Sequence, residues 1–105
     1  VVLQNRADRP GITNQVAVHA NTFIGNTHNQ FAYDTDDASA VATMFGAGSG
    51  NVSYRNRFDA VNVYWKPSGT ITTLSGVNAL PGGGGSTILT PTEVTNILAA
   101  AGVSP

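Results

Sequence analysis

Apolar and polar residues alternate with a period of two along several short stretches, as expected for β-strands. The clearest stretch is Gln15–Ile24, whose more apolar face carries Val16, Val18, Ala20, Thr22 and Ile24. A second stretch, Phe58–Trp65, is apolar on both faces, which is typical of a strand covered on both sides. Together with shorter β-branched or aromatic runs, this pattern predicts a mainly antiparallel sheet of roughly four to six strands.

The shorter strand candidates are separated by turn residues. Gln30–Tyr33 follows the loop Gly25–Asn29, and this spacing predicts a hairpin with the strand before it. Asn51–Tyr54 is predicted as a strand that could continue, through a bend, into Phe58–Trp65. Pro67-Ser68-Gly69 predicts a turn into the β-branched strand Thr70–Leu74.

Two segments have the apolar spacing of helices instead. A middle helix near residues 37–45 follows the acidic run Asp34–Asp37, with Gly46 predicted as its left-handed cap. A C-terminal helix over residues 90–102 has Thr90 and Glu93 as a capping box, Pro91 at its first position and Gly102 at its end. Its apolar face is predicted to carry Val94, Ile97, Leu98 and Ala101.

The chain of 105 residues is predicted to form one α+β domain. Residues 1–11 form an N-terminal arm and turn, and residues 12–80 form a β-rich core that includes the middle helix. A glycine-rich linker over residues 81–86 leads to the C-terminal helix. No internal repeat with a period of 20 to 50 residues is apparent from the pattern.

Charge is scarce, and this limits the function classes. The sequence has five Lys and Arg and six Asp and Glu, so 10% of residues are charged, against about a quarter in average soluble domains. A net charge of −1 provides no basic footprint for nucleic acid, and no stretch reaches the roughly 18 apolar residues of a membrane span. The neutral polar composition favours an extracellular or virion protein.

The leading functional hypothesis is a non-enzymatic structural protein that assembles with copies of itself or with another structural protein. It fits a subunit or decoration protein of a virion or of an extracellular filament. The scarcity of charge indicates a surface that partners cover, and two apolar terminal segments are available for docking. The predicted assembly contacts are Val1, Val2, Leu3, Val94, Ile97 and Leu98.

A carbohydrate- or receptor-binding module is the first alternative. Tyr33, Tyr54, Tyr64 and Trp65 offer rings that stack on a sugar, and Arg55 and Arg57 share a strand face beside them. The predicted binding surface is Arg55, Arg57, Tyr64, Trp65 and His19. The competing interpretation is that Trp65 and some tyrosines fill the core.

The second alternative is a small metal-dependent hydrolase that uses His19, His28 and the acidic run Asp34–Asp37. The calcium-loop pattern fails, because its last acidic position holds Phe45, and capping of the following helix explains the carboxylates. We therefore predict no catalytic residues, metal or cofactor. Asn51-Val52-Ser53 is an N-glycosylation sequon, which matters only in a glycosylating pathway.

Overall fold

The computed structural model describes residues 2–5, 15–46 and 49–102 of the chain. In these ranges the strands are β1 (Val2–Asn5), β2 (Ala17–His19), β3 (Thr22–Phe23), β4 (Ala32–Thr35), β5 (Val52–Tyr54), β6 (Arg57–Phe58), β7 (Val63–Trp65), β8 (Gly69–Ile71) and β9 (Thr87–Ile88). A 3-10 helix (Ala38–Ala40) leads directly into α1 (Val41–Phe45), followed later by α2 (Leu74–Asn78) and α3 (Pro91–Ala100). The predicted turn over residues 6–11 lies outside the described residues.

The strands form three small sheets in an α+β fold, with orders β1-β4-β7-β8, β2-β5 and β3-β6-β9. Every pairing is parallel except that of β7 with β8. The prediction of a mainly antiparallel sheet is therefore wrong. Alternation of period two reports that one side of a strand is buried, and it does so equally in parallel and antiparallel pairs.

The parallel pairs stack successive stretches of chain into three coils of a β-solenoid. Coil 1 contains β1, β2 and β3, coil 2 contains β4, β5 and β6, and coil 3 contains β7 and β9. Hydrogen-bonded partners in coils 1 and 2 are 35 residues apart at the corner described next, and those in coils 2 and 3 are 30 apart. The chain therefore has a structural repeat that its pattern of apolar residues did not reveal.

A repeated corner turns the chain between β2 and β3 and between β5 and β6. Ala20 and Arg55 occupy it with φ of 56° and 52°, and Gly85 occupies the matching place in coil 3 with φ of 70°. Left-handed backbone breaks a strand, which is why the stretch Gln15–Ile24 forms two strands instead of the predicted one. For the same reason β5 and β6 do not merge into one long strand.

The residue after each corner holds the coils together. Asn56 is fully buried, its Oδ1 accepts from the backbone N of Asn21 at 3.1 Å, and its Nδ2 donates to Val18 O at 3.0 Å. The backbone N of Asn56 donates in turn to Ser86 Oγ in coil 3 at 3.0 Å. One asparagine thus links three coils through hydrogen bonds shielded from water.

A second corner uses the same chemistry. Gln15 and Gly50 have φ of 54° and 74°, and the buried Asn51 follows Gly50. Asn51 Oδ1 accepts from the backbone N of Val16 at 3.1 Å, and its Nδ2 donates to Met44 O at 2.8 Å. In both corners, an asparagine in coil 2 supplies the acceptor that a backbone N–H in coil 1 would otherwise lack. We call these hydrogen bonds of Asn51 and Asn56 the asparagine ladder.

The interior is filled by side chains that stack from coil to coil. Phe23 lies over Phe58 with centroids 5.4 Å apart and planes 17° apart, and Phe31 packs against both. Tyr33 packs against Trp65 at 4.7 Å. These aromatics form the centre of a core completed by Val18, Met44, Val61, Val63, Ile71, Val77 and Leu80.

The predicted hairpin between the strand ending at Ile24 and the strand at Gln30–Tyr33 is wrong. β4 lies between β1 and β7 and is parallel to both, whereas β3 pairs with β6. The loop between β3 and β4 is therefore a connection around the solenoid from one sheet to the next. The β7–β8 pair, which turns through Lys66–Ser68, is the antiparallel hairpin in the described part of the chain.

The helices follow their local signals closely. The middle helix is confirmed, with Asp37 as the N-cap, but Gly46 is extended (φ −76°) and not the predicted left-handed cap. The C-terminal helix is confirmed with its full capping box between Thr90 and Glu93 and with Gly102 left-handed after its end. The short α2 begins at Leu74, which is the last residue of the predicted strand Thr70–Leu74. The strand ends before Leu74 because Thr73 is the N-cap of α2, and its hydroxyl accepts from the backbone N of Gly76.

The glycine-rich segment predicted as a linker lies against coil 2. Arg55 N donates to Gly84 O at 2.9 Å, and a Cβ on Gly83 would lie 2.8 Å from Ser53 O. These glycines occupy the place in coil 3 that β2 and β5 occupy in the coils before it. The absence of side chains permits this close backbone approach.

The buried amide of Asn56 makes a stability prediction. Asn56→Ala leaves the backbone N–H of Asn21 without its partner and removes the amide hydrogen bond to Val18 O, which we expect to lower the free energy of unfolding by about 2–4 kcal/mol. Asn96→Ala, at an exposed position of α3, is the control, with a change of at most about 0.5 kcal/mol. Urea unfolding followed by circular dichroism measures both, and equal effects would contradict the role of the ladder.

Tyr33 makes a prediction about alkaline pH. Burial raises its pKa from 10.0 to about 12, partly offset by a backbone hydrogen bond at Val18. Because the folded-state pKa is the higher one, this contribution to stability is complete below pH 10 and is lost as the pH rises from 10 to 12. The expected slope is about 1.4 kcal/mol per pH unit in that window.

Measuring the free energy of unfolding between pH 9 and pH 12 checks this slope. Tyr33→Phe removes the titrating hydroxyl, so the variant should be less stable at neutral pH and less sensitive to alkali. The hydroxyl donates to Val16 O and Val52 O in the folded chain. Parallel pH profiles for the two proteins would contradict the assignment.

Candidate functional site

One outer surface of the solenoid brings together several residues predicted as a binding surface. His19 at the end of β2 and Tyr54 at the end of β5 are register partners, and their rings stack with centroids 4.8 Å apart and planes 8° apart. His19 is exposed and Tyr54 is half-buried. The parallel register positions this pair, since it places equivalent residues of successive coils directly beside each other.

A cavity of about 410 Å³ lies next to this stack and is lined by Tyr54, Arg55 and Gly82–Gly85. The glycines of coil 3 belong to its lining and carry no side chains where coils 1 and 2 have His19 and Tyr54. The aliphatic stem of Arg55 lies over Gly85, where an added Cβ would be 3.1 Å from Arg55 Cγ. We call this feature the Tyr54 cavity.

Arg57 lies further along the same surface and has a different environment. Its Nε and NH2 nitrogens both donate to Thr22 Oγ1, at 3.1 and 2.8 Å. Hydrogen bonds with Thr90 lower the pKa of the Glu93 carboxyl at the start of α3, and the charge of Arg57 adds a smaller effect in the same direction. Arg57 is therefore held by Thr22 of coil 1, and it does not line the Tyr54 cavity.

The two aromatic residues that the sequence placed in the binding surface lie elsewhere. Trp65 is only 3% exposed and packs against Tyr33 and, edge to face, against Phe45. It is a core residue, in agreement with the competing interpretation of the sequence. Tyr64 is the half-buried neighbour of Trp65 on β7 and does not line the Tyr54 cavity.

The candidate metal ligands are not gathered into a site. No group of three or more His, Asp or Glu in the described ranges is placed to hold a metal ion. Asp34 forms an ion pair with Lys66 at 3.8 Å, and Asp37 accepts from the backbone N and the hydroxyl of Ser39. These hydrogen bonds lower the pKa of Asp37 and complete its role as a helix cap.

The sequon asparagine is inside the fold. Asn51 is 1% exposed, and the nitrogen that would carry a glycan donates to Met44 O. A glycan on this atom is incompatible with the folded corner. The sequon match is therefore explained by the structural role of Asn51 in the ladder.

The predicted assembly contacts fall in two places. Val2 and Leu3 are in β1, at the edge of the largest sheet, and Val1 lies outside the described residues. Val94, Ile97 and Leu98 are half-buried along α3, which has no fully buried residue. None of the helices in the described part of the chain is long and apolar enough to cross a membrane.

Coil 1 presents its strand edges at one end of the solenoid. β1, β2 and β3 each pair with a strand of coil 2 on one side, and no strand in the described ranges pairs with their other side. The three strands contain no Lys, Arg, Asp, Glu or Pro. At the other end of the stack, β9 likewise pairs only with β6 among the described strands.

Comparison of the chain with protein-family models, curated proteins and solved structures found no match.

The burial of Trp65 makes a spectroscopic prediction, because it is the only tryptophan in the sequence. We expect a blue-shifted emission maximum and weak quenching by acrylamide in the native protein, with both changing cooperatively on unfolding in urea. Free N-acetyltryptophanamide is the reference for full exposure. Native quenching as strong as that reference would contradict a core position for Trp65.

Proposed function

We propose that this chain is a structural protein that assembles with other copies of itself by pairing strand edges at the ends of its solenoid. The observation that carries the proposal is the pair of uncharged strand edges that β2 and β3 present on coil 1. An unpaired strand edge is a template for another strand, since its N–H and C=O groups have no protein partner.

The composition of these edges supports pairing. Proteins that remain monomeric usually protect exposed edges with lysine, proline, inward-pointing charges or bulges. Here β2 and β3 read Ala-Val-His and Thr-Phe, without such residues. The low charge of the whole chain, at 10% of residues, removes a further source of repulsion between copies.

A second copy is the partner that the geometry favours. β9 offers an edge at the opposite end of the sheet in which β3 offers the other. Head-to-tail contact between β9 of one copy and β3 of the next would continue the parallel order β3-β6-β9. Such heterologous contacts do not close on themselves unless the rotation completes a ring, so they produce filaments or rings. This agrees with a subunit of a virion or of an extracellular filament.

The backbone of β2 identifies where the edge can be blocked. Val52 N donates to Val16 O, and Ala20 N donates to Tyr54 O, so these alternate residues bond to coil 2. In a parallel pair the intervening residues direct their backbone groups to the other side. Ala17, which is exposed, therefore presents its N–H and C=O at the open edge.

Ala17→Pro should weaken assembly about tenfold or more, because proline removes that N–H and its ring obstructs an approaching strand. Ala17→Thr is the matched control, since threonine keeps the N–H and suits a strand. Size-exclusion chromatography with light scattering over a wide concentration range measures both. A wild-type protein that stays monomeric at every concentration, or equal weakening by both variants, would contradict the proposal.

A further inference from the structure

We propose that the Tyr54 cavity binds a sugar that carries a carboxylate. The site consists of the ring of Tyr54, the guanidinium of Arg55 and the backbone of Gly82–Gly85. It does not depend on assembly through the strand edges, because it lies on the outer surface beside the ends of β2 and β5.

The rings of His19 and Tyr54 form a stack that no side chain of coil 3 continues, because the next residue in line is Gly84. His19 in coil 1 and Tyr54 in coil 2 stack with centroids 4.8 Å apart, close to the roughly 4.8 Å that separates adjacent strands. Gly84 follows in coil 3 at the next place, since the pairing of Asn56 with Ser86 sets a spacing of 30 residues there. A ring-shaped ligand over Gly84 would therefore continue the stack on the face of Tyr54 turned away from His19.

The chemistry of the lining suits a sugar. It combines the aromatic residue Tyr54 with the backbone of Gly82–Gly85, which carries no side chains. A pyranose ring fits these surfaces, because its C–H face packs on an aromatic ring while its hydroxyls exchange hydrogen bonds with backbone groups. Nucleic acid is disfavoured here, since the chain has a net charge of −1 and no basic stripe.

Arg55 determines which charge a ligand of the Tyr54 cavity would carry. Arg55 is exposed, lines the cavity and has its stem held over Gly85. None of the lining residues is acidic, and the described ion pair of the chain lies elsewhere, between Lys66 and Asp34. A guanidinium binds a carboxylate through two parallel hydrogen bonds, so Arg55 would select an acidic sugar over its neutral counterpart.

Two trisaccharides test this selection, because they differ only in the carboxylates: cellotriose and β-1,4-linked triglucuronic acid. Isothermal titration calorimetry on the wild-type chain should show binding of triglucuronic acid about tenfold or more tighter than that of cellotriose. Added salt should weaken the acidic sugar more than the neutral one. Failure of triglucuronic acid to bind at millimolar concentration would overturn the proposal.

Variants separate the two parts of the site. Tyr54→Leu should weaken binding of triglucuronic acid about tenfold or more and abolish measurable binding of cellotriose, whereas Tyr54→Phe, which keeps the ring, should retain both. Arg55→Asn should reduce binding of triglucuronic acid to the level of cellotriose. Asparagine suits this test because Arg55 has a φ of 52°, and asparagine tolerates left-handed backbone.

Arg57→Gln is the matched charge control. It removes one positive charge from the same surface, as Arg55→Asn does, but Arg57 is held by Thr22 outside the cavity. We expect it to change the affinity for triglucuronic acid by less than about threefold. Equal losses from Arg57→Gln and Arg55→Asn, or wild-type binding by a folded Tyr54→Leu, would overturn the proposed site. Thermal unfolding by circular dichroism establishes that each variant is folded.

Discussion

The fold depends on buried asparagine side chains that substitute for backbone partners between coils. A corner between two short strands leaves amide groups that no strand can satisfy, and a buried unsatisfied amide costs about as much as a lost hydrogen bond. Asn56 satisfies the amide of Asn21 and the carbonyl of Val18, and Asn51 satisfies the amide of Val16. These bonds fix the register of coil 1 on coil 2. Once the register is fixed, the interior aromatics face each other and the outer residues align in rows.

Local features of the sequence were sufficient to predict the middle and C-terminal helices and insufficient to predict α2 and the sheets. Thr90, Pro91 and Glu93 cap α3 through contacts within a few residues, so their pattern identifies the helix directly. Parallel pairing joins residues 30 to 35 positions apart and has no comparable local signature. One signal was present: Asn21-Thr22-Phe23 and Asn56-Arg57-Phe58 share an Asn-x-Phe pattern at the spacing of the coils. In coil 3 the pattern has changed to Ser86-Thr87-Ile88, so the repeat is weak.

The same limits applied to the candidate site. Arg55 and His19 were predicted as surface residues, and both are exposed beside Tyr54. The sequence does not distinguish the buried Trp65 from these exposed residues, because the register of β7 with β4 decides whether its side chain lies inside or outside the solenoid. The glycine run was also ambiguous. Its composition suits a flexible linker and equally suits a coil that must pass close to Val52 and Ser53, and only the three-dimensional position of the neighbouring coil distinguishes the two.

The asparagine ladder and the Tyr54 cavity are consequences of one register. A spacing of 35 residues aligns His19 with Tyr54, and the following spacing of 30 brings Gly84 to the next place without a side chain. The cavity is therefore lined by residues of coils 2 and 3 that this register positions, so binding a ring there would cost little ordering of the protein. Arg55 is exposed, and the other residues that line the cavity, Tyr54 and Gly82–Gly85, are uncharged. The scarcity of charge would favour contact between copies at the ends of the solenoid, and in the proposed site the guanidinium of Arg55, with no acidic residue in the lining, would give a preference for acidic ligands.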